Sequence, residues 1–397
     1  MKKLEKSVPV IRFKGFSEAW EQRKLRDIAN YRNGKAHEQV EDEDGKYTII
    51  NSKFISTNGK VQRYTNEQVE PIFDGEIAMV LSDLPNGKAL AKLFLVKEDG
   101  KYTLNQRIAG ITPNENIDPI FLNFRMNRNN YFLKFDSGVT QTNLSKSQVE
   151  NFIALYPTFD EQYKIGLFFT QLDDTIALHQ RKLDTLKLMK KGLLQQMFPK
   201  RGENIPKIRF DDFDDIWEQR ILGEFLKESK IKGSNGSLAK KLTVKLWRKG
   251  VVPKEEIYTG SSATQYYIRK TGQFIYGKLD FLNQAFGIIP LELDGYESTL
   301  DSPAFDIEES INETFLLEYV SLARFYKYQG NIANGSRRAK RIHTDTFFEM
   351  PIPLPNSNEQ QKIGTFSRQI DDLIALQQNK LEKLSSLKRF YLKNMFI

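Results

Sequence analysis

The sequence predicts an α+β protein made of two tandem copies of one plan, each a mixed globular region followed by a long helix. Three observations predict this. Residues 161–198 return 198 residues later as 359–396, without a gap and with about half of the positions identical. PVIRFKGFSEAWEQRKL at 9–25 returns as PKIRFDDFDDIWEQRIL at 206–222. The regions between these repeats, 29–152 and 226–350, have nearly equal lengths but do not align. A repeat on this scale determines the architecture of the whole chain.

The segment at 9–25 opens the first copy, and we name it and its equivalent at 206–222 the opening motif. Trp20-Glu21-Gln22-Arg23 recurs in it as Trp217-Glu218-Gln219-Arg220. We interpret the motif as structural, with its tryptophan packed inside its own half.

Both globular regions mix strand and helix patterns. In the first region, apolar runs predict strands at 47–50, 76–81, 93–96 and 107–111, and a helix over 119–133. Ser147 and Glu150 have the spacing of a capping box. The second region has predicted strands at 273–276 and 286–290, and a predicted helix over 313–328. We therefore expect both regions to be α+β.

Each repeated segment at 161–198 and 359–396 reads as one long helix with a continuous apolar face. Apolar residues recur every third or fourth position over several heptads, which is typical of helices that pack against each other. His179 and Gln377 are equivalent polar residues at the two midpoints, so we expect them to meet if the helices pair. The predicted pairing residues are Ile165, Leu172, Ile176, His179, Leu183, Leu186, Ile363, Ile370, Ile374, Gln377, Leu381 and Leu384.

Composition restricts the class of protein. The chain has no cysteine, which excludes a disulfide framework and a thiolate zinc site and fits a reducing cytoplasm. No apolar run is long enough to span a membrane, and the N-terminus lacks the apolar segment of a signal peptide. The net charge of +8 favours a polyanionic partner.

The sequence contains no motif that supports catalysis or metal binding. It has no phosphate-binding loop, no dinucleotide fingerprint and no zinc spacing. His37, His179 and His343 are scattered, and we interpret them as structural. Glu228-Ser229-Lys230 has the E-x-K form found in nucleases but lacks a preceding Pro-Asp. The carboxylate pairs 173–174 and 371–372 read as solvated charges on helix faces.

Binding features are stronger. In the second half, 227–249 carries eight basic residues and one acid, and Arg337-Arg338-Ala339-Lys340-Arg341 forms a basic loop, whereas acids concentrate at 292–313. In the first half, the segment 138–143 is placed like that basic loop. Basic groups bind phosphates, and Arg, Asn and Gln read base edges. The candidate DNA-binding residues are Arg32, Asn33, Lys35, Arg125, Arg128, Thr140, Gln141, Lys240, Lys241, Arg248, Arg337, Arg338, Lys340 and Arg341.

The chain resembles the specificity subunit of type I restriction-modification systems. The resemblance covers the whole length. It rests on the opening motif, on the proline-containing exits into E-Q-x-K-I-G, and on the D-D-x-I-A-L-x-Q-x-K-L helix, each present twice. It implies two α+β target-recognition domains joined by two long antiparallel coiled-coil helices in a pseudo-twofold internal repeat. The expected domains are 1–158 and 206–356, with spacer helices at 159–198 and 357–397 and a linker at 199–205.

The resemblance also implies a function. Each target-recognition domain would bind half of a bipartite site in double-stranded DNA, and the chain itself would have no cofactor and no catalytic activity. Two modification (methyltransferase) subunits would bring S-adenosylmethionine and methylate adenine. Restriction (motor-nuclease) subunits would bring ATP and Mg²⁺. Two other hypotheses remain open from the residues: a coiled-coil scaffold with two protein-binding domains, and a nuclease that uses the E-x-K motif.

Overall fold

The chain forms two compact units. The computed structural model describes residues 8–37, 40–85, 87–255, 261–332 and 341–396. The first unit contains the residues up to Gln180 and those from Lys380 on, and the second contains Arg181–Asn379. Each unit therefore holds one globular region and one half of each long helix. Both unit boundaries fall inside the long helices, and the expected domain bounds stay a prediction.

The first unit combines two four-stranded sheets with helices. One sheet is antiparallel in the order β2-β10-β6-β8, and the other has the order β4-β3-β9-β5 with β3 and β9 parallel. The elements, in order, are β1 (Glu21–Lys24), α1 (Leu25–Ile28), β2 (Ala29–Asn33), β3 (Tyr47–Ile50), α2 (Ser52–Ser56), β4 (Tyr64–Thr65), β5 (Pro71–Ile72), β6 (Ile77–Val80), β7 (Ser82–Asp83), β8 (Leu93–Leu95), β9 (Tyr102–Leu104), β10 (Ile108–Pro113), α3 (Pro119–Met126), α4 (Asn130–Leu133), β11 (Thr142–Asn143), α5 (Lys146–Glu150), β12 (Ile153–Tyr156) and the start of α6 (Phe159–Met197).

The second unit repeats this plan with a different periphery. Its main sheet is antiparallel in the order β14-β22-β19-β20, and a three-stranded sheet β15-β18-β21 and a hairpin β16-β17 flank it. Its elements are β13 (Glu218–Ile221), β14 (Leu226–Ser229), β15 (Lys232–Asn235), β16 (Leu242–Val244), β17 (Val251–Pro253), β18 (Gln265–Ile268), β19 (Phe274–Tyr276), β20 (Phe286–Ile288), β21 (Glu297–Ser298), β22 (Ala304–Ile307), α7 (Glu313–Val320), α8 (Ala323–Ile332), α9 (Thr344–Phe348), β23 (Pro351–Leu354) and α10 (Ser357–Met395), with short 3-10 turns at Leu222–Glu224, Phe281–Asn283 and Leu291–Leu293.

The predicted strands lie within about two residues of observed ones, but both predicted helices of the globular regions are divided. The helix expected over 119–133 is interrupted where Arg128 takes a left-handed backbone, with φ at +51°. The helix expected over 313–328 is divided between α7 and α8. The predicted capping box was wrong: the N-cap of α5 is Ser145 and its partner is Gln148.

The opening motif pairs with the segment that leads into each long helix. Glu21–Lys24 forms an antiparallel pair with Ile153–Tyr156, and Glu218–Ile221 pairs in the same way with Pro351–Leu354. Both tryptophans of the motif are buried. This pairing explains why the motif and the proline-containing exit recur together in the sequence.

The arginine of the opening motif is bound to the glutamate of E-Q-x-K-I-G. Arg12 forms a bidentate ion pair with Glu161, with both N–O distances 2.7 Å. Arg209 binds Glu359 in the same way at 2.7 and 2.8 Å. Both glutamates are fully buried, so the ion pair fixes each opening motif to the first turn of a long helix.

The glutamine of the same motif fixes the helix to its globular region. Gln162 Oε1 accepts a hydrogen bond from the backbone N–H of Asp118 at 3.1 Å. Gln360 accepts from the backbone N–H of Asn312 at 2.9 Å. Asp118 and Asn312 are the N-caps of α3 and α7, so one residue of the repeat orients the corresponding helix in each unit.

The long helices run antiparallel to each other within each unit. In the first unit, Phe168 contacts Tyr391, with ring centroids 5.1 Å apart, and Asp173 is ion-paired with Lys388 at 2.5 Å. In the second unit, Lys190 of α6 reaches Asp371 of α10 at 2.6 Å.

The predicted pairing residues lie on the covered face of the helices. Six are buried and six are half-buried, and the contact expected between His179 and Gln377 stays a prediction. The buried six are Ile165, Leu183, Ile363, Ile370, Gln377 and Leu381, and the half-buried six are Leu172, Ile176, His179, Leu186, Ile374 and Leu384.

Each helix ends in the core of the unit that it enters. Phe198 packs against Trp217 in the second unit, with ring centroids 6.0 Å apart. Phe396 packs against Phe121 in the first unit at 5.4 Å. The C-terminal half of each helix therefore belongs to a core formed by the other copy of the repeat. Among the described residues, no helix is long and apolar enough to cross a membrane.

Candidate nucleic-acid interface

The two candidate binding loops end at equivalent places in their units. After the first loop, Leu144 donates its backbone N–H to the carbonyl of Leu81 at 2.8 Å. After the second loop, Ile342 donates its backbone N–H to the carbonyl of Lys278 at 3.0 Å. Leu81 and Lys278 follow β6 and β19, which have the same place in the two main sheets. The residues that end the two loops therefore lie at the C-terminal end of the same strand of the repeat.

In the first unit, this end of the sheet exposes both polar and apolar side chains. Thr140 and Gln141 are exposed, and Gln141 Nε2 donates to Ser82 Oγ at 2.7 Å. Leu84 is 68% exposed and Val139 is 80% exposed. They lie in the two segments that the β7–β11 strand pair joins. Gln141 is thus held beside an uncovered apolar surface.

In the second unit, the equivalent end carries a cluster of basic groups. Arg341 is exposed and lies 3.3 Å from Asp301, while Lys230 is ion-paired with Glu228 at 2.8 Å. Burial lowers the pKa of Lys278; Glu228 and Asp301 raise it, and Lys230 and Arg341 lower it further. The backbone places Lys278 beside Arg341, because Lys278 donates its N–H to the Asp301 carbonyl at 2.9 Å and Asp301 is the partner of Arg341. Arg337, Arg338 and Lys340 lie outside the described residues.

The candidate set did not include Lys230 and Lys278. Lys230 lies in the basic run at 227–249, which was a usable signal. The sequence signal for Lys278 was weaker. Lys278 comes two residues after the buried strand β19, where a side chain lies at the end of the sheet. Charge counting could not identify it, because its sequence neighbours are not basic.

Arg32 is bound inside the first unit. Its two terminal nitrogens each lie 2.6 Å from a carboxylate oxygen of Glu76, and Nε lies 3.1 Å from Glu70. The hydrogen bonds that Arg32 donates to Glu76 raise the pKa of the Arg32 guanidinium. The neighbouring candidates are more open: Asn33 is exposed and accepts from the Tyr31 hydroxyl, and Lys35 is exposed beside Glu70. Arg32 therefore has a structural role, since its donors are already used.

Arg125 and Arg128 also contribute to the fold of the first unit. The Arg125 guanidinium lies over the Phe396 ring, 5.6 Å from its centroid, and burial lowers its pKa. Arg128 turns the chain between α3 and α4 and donates from Nη1 to the Leu90 carbonyl at 3.5 Å. Both side chains are half-buried.

The lysine-rich segment of the second unit divides in a similar way. Lys240 is exposed, whereas Lys241 is buried with its ammonium over the Tyr266 ring. Arg248 is bound to Glu318 through two contacts of 2.5 and 3.1 Å.

Glu318 is the centre of a buried charge cluster in the second unit. Its carboxylate accepts hydrogen bonds from Arg248, from Lys190 at 3.0 Å and from Ser367 Oγ at 2.6 Å. Burial raises the pKa of Glu318, but Arg248 and Lys190 more than offset this and lower it to about 2. The cluster ties the tip of the β16–β17 hairpin to both long helices through α7.

The described part of the chain holds no group of three or more His, Asp or Glu residues that could bind a metal ion. In the E-x-K motif, Glu228 and Lys230 are paired with each other, and Ser229 is buried between them.

The chain matches known proteins over most of its length. The family described as type I restriction modification DNA specificity domain matches twice, over residues 17–188 and 217–386. The chain is 23% identical to the type I restriction enzyme MjaVIII specificity subunit of Methanocaldococcus jannaschii, over 94% of this chain and 91% of that one. It is 22% identical to the putative type I restriction enzyme MjaX specificity subunit of the same organism, with the same coverage.

Solved structures have the same fold. The S subunit of a type I restriction-modification system from M. genitalium superposes with a TM-score of 0.62 at 13% identity, covering 98% of this chain and 99% of that one. A chain from a study of complex assembly and conformational transition in a type I system superposes with a TM-score of 0.55 at 16% identity, covering 94% and 96%. The two-unit α+β architecture is therefore shared with these chains.

Proposed function

The chain belongs to the type I restriction-modification DNA specificity family, and we propose from this premise that each unit reads one half of a bipartite site in duplex DNA. The chain supplies sequence recognition. Two methyltransferase subunits, which bring S-adenosylmethionine, and motor-nuclease subunits, which bring ATP and Mg²⁺, carry out methylation and cleavage. We propose that this complex acts in the cytoplasm.

One observation carries the proposal: equivalent loops end at the same strand in both units but carry different side chains. Leu144 and Ile342 fix the two loops to their sheets by the same backbone hydrogen bond. The first loop presents an amide, Gln141, and the second presents a guanidinium, Arg341. A scaffold repeated with different side chains at one position is what two different half-sites require, because base edges differ in their donors and acceptors.

The proposed contacts follow from exposure. They exclude Arg32, Arg125, Arg128, Lys241 and Arg248, whose side chains are held by contacts inside the units. Arg337, Arg338 and Lys340 stay in the set as sequence predictions. The exposed residues of the candidate set are Asn33, Lys35, Thr140 and Gln141 in the first unit, and Lys240 and Arg341 in the second. We add Lys230, which is exposed, and Lys278, which is half-buried beside Arg341.

The test is to exchange one globular region at a time. Replacing 29–152 with the corresponding region of a related chain should change one half of the methylated motif, and replacing 226–350 should change the other half. Methylation-aware sequencing of host DNA, with the methyltransferase partner expressed together with each chimera, gives the motif directly. A single exchange that alters both halves would contradict the assignment of one half-site to each unit.

The scaffold hypothesis gives a different result in a second measurement. Phosphate contacts release counterions, so the logarithm of DNA affinity should fall steeply with the logarithm of salt concentration. A protein-binding scaffold would show no such DNA affinity when assembled with its partners. The nuclease hypothesis would require DNA cleavage by the purified chain with Mg²⁺ alone.

A further inference from the structure

Trp247 differs from the other two tryptophans of the chain. It lies at the tip of the β16–β17 hairpin and is 54% exposed, whereas Trp20 and Trp217 are 3% and 1% exposed. An indole ring is one of the largest apolar groups in a protein, and leaving it in water forgoes the free energy gained by its burial. An exposed tryptophan at the end of a hairpin therefore needs an explanation.

The hairpin tip is rigid. Trp247 and Arg248 both have a left-handed backbone, with φ at +58° and +55°, which is rare for residues with a side chain. The backbone N–H of Trp247 donates to the carbonyl of Asn283 at 2.7 Å, and that of Arg248 donates to Gln284 at 3.1 Å. Strained conformations persist only where the surroundings fix them. These bonds, with the Arg248–Glu318 ion pair, hold the indole outward in one place.

The charge around the indole favours a polyanion. Lys245 and Lys249 flank the tip and are both exposed, and no acidic residue occurs in 245–250. The charge of Arg248 is already matched by Glu318. A protein partner for this tip would need acidic groups beside an apolar pocket, whereas duplex DNA offers phosphates beside stacked bases.

The tip lies at the same end of the sheet as the basic cluster. Asn283 and Gln284, which hold it, belong to the connection 277–285 between β19 and β20. Lys278 lies at the other end of this connection. Its backbone carbonyl accepts the hydrogen bond from the N–H of Ile342, the residue after Arg341. One short connection therefore joins the indole to the proposed DNA-reading loop of the second unit.

We propose that Trp247 is an apolar wedge that contacts a base step of duplex DNA, with Lys245 and Lys249 on the adjacent phosphates. Apolar side chains inserted between base steps unstack them locally and kink the duplex. Such a wedge adds sequence dependence through the deformability of the step, without a hydrogen bond to a base. The proposal rests on the DNA-binding function proposed above, but it concerns a residue which that function does not require.

The first test uses the fact that Trp247 is the exposed tryptophan. The full chain is made with 5-hydroxytryptophan, assembled with unlabelled methyltransferase partner, and mixed with a duplex that carries its methylated motif. Acrylamide quenching of the labelled emission should fall when the duplex binds. In the Trp247→Phe complex, which retains the two buried tryptophans, quenching should be weak and should not respond to DNA.

Four outcomes are informative. Protection that appears only with DNA supports the wedge. Protection that appears when the methyltransferase binds, before DNA is added, would show that the tip docks a protein and would overturn the proposal. Quenching unchanged while the duplex binds with normal affinity would also overturn the wedge but leave the proposed function intact. Failure to bind any duplex would count against the proposed function itself.

The second test compares affinities. Trp247→Ala should weaken binding of the target duplex by roughly 5- to 100-fold, the range expected for loss of one base–aromatic contact. The slope of log affinity against log salt should not change, since no charge is lost. Lys249→Ala should instead reduce that slope by about one. Leu291→Ala is the matched control, because Leu291 is 75% exposed at the opposite end of the β19–β20 pair. If Trp247→Ala and Leu291→Ala weakened binding of the target duplex equally, the result would contradict the proposed wedge.

Discussion

Lys190 of α6 and Asp371 of α10 form an ion pair of 2.6 Å in the second unit, and the repeat reproduces it in the first. Lys388 is equivalent to Lys190 and Asp173 to Asp371, and these two lie 2.5 Å apart. The sequence interpretation of the aspartates as solvated charges was therefore incomplete, because each binds a lysine of the opposite helix. The two units use the same register of helix pairing.

Charge reversal tests this register in the first unit. Lys388→Glu should destabilise the chain, and Asp173→Lys in addition should recover part of the loss. The side chains are 25% and 41% exposed, so we expect a coupling free energy of about 0.2–1 kcal/mol. A double-mutant cycle by denaturant unfolding measures it, and strictly additive effects would argue against the pair.

The buried Glu318 predicts a pH-dependent stability of the second unit. Its pKa of about 2 lies below the ordinary value of 4.5, so the stability that it contributes is fully present above about 4.5 and is lost as the pH falls toward 2. Glu318→Gln should cost about 3–5 kcal/mol near neutral pH, since Arg248 and Lys190 lose their counter-charge. The difference from the unchanged chain should shrink on acidification. A difference independent of pH would contradict this.

The two glycines at equivalent positions of E-Q-x-K-I-G should not tolerate a side chain. A Cβ at Gly364 would lie 2.5 Å from Asn312 Oδ1, and one at Gly166 would lie 2.9 Å from Asp118 Oδ1. We expect Gly364→Ala to lower the melting temperature. Gly192 of α6 has nothing within 4 Å of its Cβ position, so Gly192→Ala should stabilise by about 0.5–1 kcal/mol. If Gly364→Ala and Gly192→Ala changed the stability in the same direction, the close approach of Asn312 to Gly364 would be unimportant.

The exposed residues at the loop ends should separate base reading from phosphate binding. Arg341→Ala should cost roughly 1–3 kcal/mol of DNA affinity and relax one position of the motif if the guanidinium reads a base. If it binds a phosphate, affinity should fall for all sequences alike. Gln141→Ala is the counterpart in the first unit and should affect only the other half of the motif. Unchanged affinity and motif for both variants would place these loops away from the DNA.

The long helices should determine the unread spacer between the half-sites, since both continue from one unit into the other. Inserting four residues after Gln180 and four after Asn379 lengthens both helices by about 6 Å while leaving the pairing within each unit intact. Base pairs are about 3.4 Å apart, so the spacer should grow by roughly one to two base pairs. The control is the same insertion in the exposed connector at 200–203, which should leave the spacer unchanged. Methylation-aware sequencing decides between them, and a spacer that follows only the connector insertion would refute the idea.

The sequence by itself determined the features that depend on local periodicity and on the repeat. It predicted both long helices to within about two residues at each end, because a sustained apolar face is readable without knowledge of any partner. It also predicted the α+β character, the positions of β3, β6, β8, β10, β19 and β20, and the burial of Trp20 and Trp217.

Only the tertiary structure decided which charges are free and where the compact units end. By residue type, Arg32, Arg125 and Arg248 were as good candidates as Arg341. Arg32 and Arg248 each bind a buried carboxylate that is distant in sequence, and Arg125 lies over the half-buried ring of Phe396. Lys278 and Trp247 became candidates through their position at one end of a sheet. The boundaries inside α6 and α10 arise because each helix tail completes the core of the other copy. These are long-range contacts, and sequence periodicity does not encode which distant side chain will occupy a given neighbouring position.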